Sequence, residues 1–524
     1  MMMPSPARSR TLLAATLAFF AAILVIGVLV YDDYGMSWDE IPTREFGVMN
    51  VTHAVPNVAV LDSLRAVKGP AYERFGPVFE ILLVRVERAL RLYDLRAAFL
   101  MRHLVTFLVF YLGVVLFFFL CRRRFGGGIA LLASVCLVAS PQLFSHAFYN
   151  VKDISFLTCF VAAMLTLDSV LANPTWRTVL LHGVVTGVLI GTRILGLFAM
   201  MLTAAAALAK RPTLRTLGLL VGYGVVVVVM LPLVWPVLRI DPIGIVKDAV
   251  LGATTNPYLK TNLFRGQALP AASLPWDYVP TWILITTPYV VSALFVVGVA
   301  AAVRSMRALR AGVSQNLLRD LLAMSWFFLP VLGCVVLRPV MYDSWRHLFF
   351  VYPAMVYLAA IGMEAVLTFA MARFGETKLT RVRVALTSAL LACLAPVIWF
   401  MVANHPFEHL YFNRFAGRDM QQVKQRFELD YWGLSYRKAL EYVVASDPAP
   451  NIRIIVANYP GRVNVLMLAP RDRARITIVG PEEGANYFIT NYRFHPEPYP
   501  FANEVFSVRV GNASIVSVFG AVPQ

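Results

Sequence analysis

Residues 11–40 read TLLAATLAFFAAILVIGVLVYDDYGMSWDE. The apolar part is long enough to cross a bilayer as a helix, which needs about 20 residues. It ends at once in Asp32, Asp33, Asp39 and Glu40. One acid at that place is a solvated helix end. Four in ten residues, with Trp38 set against the last pair, point to a site at the membrane surface. The flank MMMPSPARSR resembles a signal peptide, but the apolar run is too long and no small-residue cleavage site follows, so the segment is read as a retained first span.

The rest of the chain follows the same pattern. Its 524 residues are 59% hydrophobic and 15% charged, whereas a soluble chain has about half apolar and a quarter charged. Apolar stretches recur at 11–31, 97–120, 127–146, 154–172, 177–192, 194–209, 215–238, 280–303, 321–339, 346–370 and 384–403. They predict a polytopic α-helical membrane protein with about 11 transmembrane helices. The short pair 177–192 and 194–209 meets at GTRILG and can also be read as one helix, which would reverse everything after it.

Loop charge bears on that choice. The formal net charge of +17 would suggest nucleic acid in a soluble protein. Here Lys and Arg collect in alternate connections: ARSR, CRRRFGGG, NPTWR, KRPTLR, RSMRALRAGVSQNLLRD and ARFGETKLTRVR. The opposite short loops, HAFYNVKD and RPVMYDSWR, are less basic and contain acids. The positive-inside rule is met throughout only if 177–209 crosses twice. The N-terminus is then inside and everything after 403 outside, with outer loops 32–96, 239–279 and about 340–345. No nucleic-acid partner is expected; an anionic lipid or phosphate substrate shares the positive excess. The five cysteines are not spaced as a metal pair.

The division falls at 403: a transmembrane domain, 1–403, and a small extracytoplasmic α/β domain, 404–524. The latter carries a helix at YRKALEYVVA and β-rich runs such as IRIIVA, RITIVG and EVFSVRVGNASIVSVF. Within the first outer loop, VFEILLVRVERALRLYDL (78–95) predicts an amphipathic helix, lying in the membrane interface or packed on the bundle.

On this topology Asp39, Glu40, Asp153 and Asp343 all reach one face, where carboxylates can take a proton from a hydroxyl or bind a cation. Asp39–Glu40 is otherwise a solvated loop pair, and Asp153 in KDIS is also placed to cap a helix. Lys152, Arg193, Arg346 and His347 lie at outer helix ends, with Arg102 and His103 near the outer end of the second span. Singly such residues snorkel; together with the acids they suit a phosphate-bearing substrate. Asn150 and Tyr342 stand in the same segments. Loop 239–279, with NPYLKTNLFRG and LPWDYVPTW, is a lid or an interfacial aromatic belt. HPFEH (405–409) fits the inverted zincin pattern, but Pro406 allows both histidines on one helix face only if a helix starts there. There is no Walker loop, G-x-G-x-x-G or nucleophile elbow.

SWDE (37–40) soon after the first span, followed in order by SHAFYNVKDISF (145–156), YDSWRHLFFVYP (342–353), HPFEHLYFNRFAG, FELDYWGLSYRKAL and NYFITNYRFHPEPYP, resembles the GT-C superfamily of membrane glycosyltransferases. The likeness is to the branch of protein O-mannosyltransferases and the lipid A aminoarabinose transferase. That resemblance implies an inverting transfer of sugar from a polyprenyl-phosphate-linked donor to an acceptor hydroxyl, which is a glycan, a lipid or a protein. It places the reaction at the outer face of a bacterial inner membrane. By carry-over Asp39 is the general base, Glu40 supports it, and Lys152, Arg193, Arg346 and His347 face the donor phosphate, with Asp153 and Asp343 as pocket acids. Some members use a divalent metal and others do not. A transporter or flippase is the competing reading; it calls for charges or broken helices at mid-membrane and repeated halves. A metalloprotease through HPFEH is a minor one.

Overall fold

The structure, a computed structural model, describes residues 6–52, 76–254, 260–307 and 314–520. Seven of its helices are long and apolar enough to cross a membrane, and an eighth span forms if the bent pair Gly127–Val138 and Pro141–Tyr149 counts as one. Three shorter apolar helices accompany them. All eleven expected segments fall on helices. Where the expected spans are not continuous, proline is the reason. The 127–146 segment bends by 67° before Pro141. The 280–303 segment is split by Pro288 into Tyr278–Thr286 and Tyr289–Ser305. Proline lacks an N–H and disfavours helical backbone in the residue before it.

The ambiguous pair resolves into a hairpin. Helix Trp176–Ile190 ends in a turn whose Arg193 pairs with Asp153, at the head of helix Val151–Ala172. Helix Leu197–Lys210 then returns, and Lys210 Nζ donates to the Leu171 carbonyl at the tail of that same helix. The chain therefore traverses the bundle twice between 176 and 210, as the loop charges required.

Charged side chains gather at the two ends of this bundle. At one end Asp168 accepts from Arg123 at 3.1 Å and Arg319 at 2.7 Å, and Arg124 pairs with Asp320 and Glu364, each at 3.0 Å. These arginines belong to the expected inner loops. At the other end Arg102, 1% exposed, pairs with both Glu80 and Glu87. This settles how Val78–Ala89 packs: Glu80, Leu83, Val84 and Glu87 face inward at helical spacing, and Leu82 is exposed. The helix is fixed to the bundle by ion pairs buried on its inner face.

The hairpin of β1 (Thr261–Phe264) and β2 (Gln267–Pro270) projects from loop 239–279 and meets the C-terminal part through a bridge between Phe264 and Phe427. Residues 255–259 of that loop lie outside the described residues. The remaining strands are β3 (Ile452–Val456), β4 (Ile476–Ile478), β5 (Tyr487–Thr490), β6 (Glu504–Val510) and β7 (Ala513–Gly520), in the order β4-β3-β5-β7-β6. β3 runs parallel to β4 and β5; β7 is antiparallel to β5 and β6. Helix Tyr436–Ser446 packs on this sheet through Leu440 and Val443, forming a core of its own with Ile454 and Val518. By contrast Phe407, Leu410, Tyr431 and Trp432 join the core of the bundle.

Arg102→Met leaves Glu80 and Glu87 without their shared cation. Removing one partner of a buried ion pair costs about 3–5 kcal/mol. The expected result is a clear drop in the thermal midpoint of the detergent-solubilised protein; a midpoint equal to wild type would refute the packing of this helix.

Candidate functional site

The acidic stretch after the first helix is clamped from outside the membrane. Met36 donates its N–H to Asn464 Oδ1 at 2.9 Å, and Asn464 Nδ2 donates back to the Met36 carbonyl at 2.9 Å. Arg437 donates to the carbonyls of Asp32 and Tyr34. Gly35 allows this approach: a Cβ there would lie 2.3 Å from the Leu434 carbonyl oxygen. The clamp turns Tyr34, Met36 and Ser37 inward, all fully buried, and leaves Trp38 and Asp39 at the surface of the fold.

Asp39 is 44% exposed, yet its Oδ2 lies 3.3 Å from Arg346. Arg346, 3% exposed, also reaches Asp153 at 3.4 Å and Asp343 at 3.1 Å. Asp153 pairs in turn with Arg193, and Asp343 with Arg493 at 2.5 Å. Beneath Asp39 lies a cavity of about 280 Å³. Lys152, Thr43, Ser155, Thr192 and Tyr342 supply its polar lining, and Pro42, Phe46, Phe79 and Val151 its apolar side. Burial raises the Tyr342 phenol, with Asp39 and Asp343 adding to the effect and Arg346 opposing it. Four cations, Lys152, Arg193, Arg346 and Arg493, thus stand around three acids. Glu80, paired with Arg102, also lines the cavity, so Lys152 and the paired arginines offer cations beside an apolar wall, an arrangement that suits a lipid-borne anion.

Comparison with known proteins bears on the fold that carries this site. Residues 98–238 match the model of the dolichyl-phosphate-mannose-protein mannosyltransferase family. Over the whole chain the structure is similar to ArnT from Cupriavidus metallidurans in its apo state, with 12% identity, 99% of this chain and 100% of that one covered, and a TM-score of 0.54. This is a GT-C fold. The same ArnT bound to undecaprenyl phosphate aligns with 13% identity over 98% of this chain and 99% of that one at a TM-score of 0.49. The Archaeoglobus fulgidus oligosaccharyltransferase, apo form, aligns with 12% identity over 89% of this chain and 65% of its own at 0.48. The fold assignment rests on the first of these. No curated protein matches the chain by sequence.

Within this GT-C fold the expected site residues divide by position. Asp39, Lys152, Asp153, Arg193, Tyr342, Asp343 and Arg346 converge on one basin. Glu40 does not line the cavity: it is buried, accepts the Ser37 N–H at 2.5 Å and meets His103 Nε2 at 2.8 Å. That exchange pins the turn 37–40, so Glu40 supports Asp39 through the backbone. The helix cap expected at Asp153 belongs to Asn150. Asn150 Oδ1 accepts the Asp153 N–H at 3.2 Å and its Nδ2 donates to Asp153 Oδ2 at 2.8 Å, leaving Asp153 to the arginines. The His347 ring stands edge-on to Tyr342 at 4.8 Å between centroids.

The zincin reading of HPFEH fails on geometry. Residues 408–410 form only a 3-10 turn. His405 faces Asp33 at 3.0 Å and Glu408 at 2.6 Å, whereas His409 faces Ser145 at 3.3 Å and Asp430 at 3.4 Å. Nor does the basin suit a divalent ion: Asp39, Asp153 and Asp343 each face arginine, and no group of three or more His, Cys, Asp or Glu among the described residues is placed to hold a metal.

Reading the sequence alone missed Arg493, Lys260 and Trp432. The Trp38 ring lies between Lys260, 4.3 Å from its centroid, and Arg493 at 4.9 Å. Trp432 covers the Arg346 guanidinium at 4.6 Å. The available signal was the placing of Arg493 and Trp432 among aromatics in NYRFH and DYWG.

Burial disfavours the charged form of His405, but Glu408 first and then Asp33 hold its pKa above the ordinary 6.5. A histidine raised on folding stabilises the protein fully below its unfolded value and loses that contribution as pH climbs through the folded value. The melting advantage of wild type over His405→Gln should therefore shrink as pH is raised past 6.5. Equal advantages at about pH 6 and about pH 9 would remove the assigned coupling.

Proposed function

We propose that this protein transfers a sugar from a polyprenyl-phosphate-linked donor to an acceptor hydroxyl at the outer face of a bacterial inner membrane, inverting the anomeric carbon. The observation that carries the reading is the placing of Asp39 over a cavity that it shares with Lys152, beside an arginine bound also to Asp153 and Asp343. The GT-C fold and the match of residues 98–238 to a family described by a lipid-phosphate-linked mannose donor support it.

In this reading the donor's first isoprene units lie against Pro42, Phe46, Phe79 and Val151, and its phosphate turns to Lys152, Arg193 and Arg346. Asp39 accepts the proton of the acceptor hydroxyl. The hydroxyl oxygen bonds to the anomeric carbon from the side opposite the phosphate, and the bond from that carbon to the phosphate oxygen breaks. The electron pair leaves with the lipid phosphate, whose growing charge is met by cations already in place, so no reorganisation is needed at that moment. Partial exposure of Asp39 fits a base that must meet an incoming acceptor. The charged pairs gather at the two ends of the bundle, which favours a transferase over a transporter with charges along a passage.

Asp39→Asn keeps size and polarity and removes the base. In liposomes supplied with an undecaprenyl-phosphate sugar and a cell-envelope acceptor extract, transfer should fall by about 10²–10⁴-fold, with the melting midpoint unchanged. Wild-type transfer by this variant would sink the assignment of the base.

A further inference from the structure

A second hollow, of about 470 Å³, lies between the β1–β2 hairpin and the C-terminal domain. The chemistry at Asp39 makes no use of it. Glu428 lines it, is 7% exposed, and has its Oε2 buried with no hydrogen-bond partner among the described residues. Burial pushes this carboxyl up to about 7, with Arg493 pulling the other way. A buried carboxyl oxygen without a partner is costly, and a ligand that donates a hydrogen bond relieves that cost.

The hollow borders the basin. Arg493 lines it and reaches Asp343 at 2.5 Å; Asp343 reaches Arg346 at 3.1 Å, and Arg346 reaches Asp39 at 3.3 Å. Trp38, the neighbour of Asp39, packs against both Arg493 and Phe494, two residues of the lining. The hollow is thus linked to Asp39 through Arg493, Asp343 and Arg346, and through Trp38.

The lining also bears on the class of ligand. It presents the carboxyl of Glu428, the amides of Gln421 and Gln425 and the hydroxyl of Thr261, with Lys424 and Arg493 beside them. Such groups donate and accept in many directions, as the hydroxyls of a sugar require. The lining residues lie outside the apolar spans, so acyl chains find no bilayer there. β7, which contributes Ser514 and Ile515, is paired on both sides and offers no open edge to an extended peptide.

We propose that this cleft binds a glycan, the acceptor of the transfer, and that Glu428 anchors one of its hydroxyls. The inference rests on the transferase reading but is tested apart from it. The full chain in nanodiscs is exposed to an array of bacterial envelope oligosaccharides built of hexose and N-acetylhexosamine units. Wild type should bind at least one. Glu428→Ala should weaken that binding at least tenfold, and Glu428→Gln should keep most of it. Gln425→Trp, at the exposed mouth, should also cost tenfold without disturbing the core. Absence of glycan binding by wild type, wild-type affinity in both Glu428→Ala and Gln425→Trp, or displacement by peptides instead of glycans would overturn the proposal. Retention of undecaprenyl phosphate in the same nanodiscs reports the donor basin alone: its failure in wild type would count against the transferase reading and not against the cleft.

Discussion

Arg346 is 3% exposed and within 3.4 Å of three carboxylates that come from three separate parts of the chain. Asp39 follows the first helix, Asp153 opens the helix Val151–Ala172, and Asp343 sits in the loop before Arg346 itself. Without a cation among them these acids repel one another and the segments carrying them part. A lysine ammonium is a point charge; the guanidinium fork has five donors in one plane and can meet several carboxylates at once. Its faces are covered by Trp432 at 4.6 Å and Tyr342 at 5.1 Å, so the plane itself is held. The contact that assembles this end of the bundle is therefore the same contact that borders the basin beside Asp39.

The C-terminal α/β part of the chain belongs to that assembly. Asn464 and Arg437 grip the backbone of residues 32–36, and Asp430 accepts the N–H groups of Gly433, Leu434 and Ser435, fixing the turn that carries Trp432. Burial works to raise the Asp430 carboxyl, but His409 and then Ser435 hold it below its usual range. Segments more than 390 residues apart, joined by the pair Met36–Asn464, thus set the height of Asp39 above the membrane helices. A shift of the domain would move the acid and its arginine together.

Most of the fold was legible because apolar length and loop charge are strong, local signals. They gave the positions of the apolar helices, and at 177–209 the structure shows a helical hairpin held by Arg193 and Lys210. Proline breaks at 141 and 288 were visible as residues but were not drawn as breaks, since a hydropathy window averages across them. The site was legible where chemistry and topology coincided: acids and arginines at outer helix ends had few other places to go. It was not legible where a partner arrives from far along the chain. Glu40 and Asp39 are adjacent in sequence, but only the fold shows that one turns to His103 and the other to Arg346. Arg493 lies 150 residues from Asp343, and nothing local pairs them.

The backbone at that pairing carries a further consequence. Asp343 and Ser344 have φ of 56° and 67°, although neither is glycine. Such a conformation costs about 1–3 kcal/mol per residue and persists only where the surroundings over-determine it. Here Arg346 and Arg493 hold Asp343 from two sides, while Trp345, fully buried, donates to Thr286 at 2.9 Å. The strained turn brings the Asp343 carboxylate between the two arginines, and so between the two hollows. The strain at 343–344 is thus held in place by the two arginines on either side of Asp343, one facing Asp39 and the other lining the second hollow.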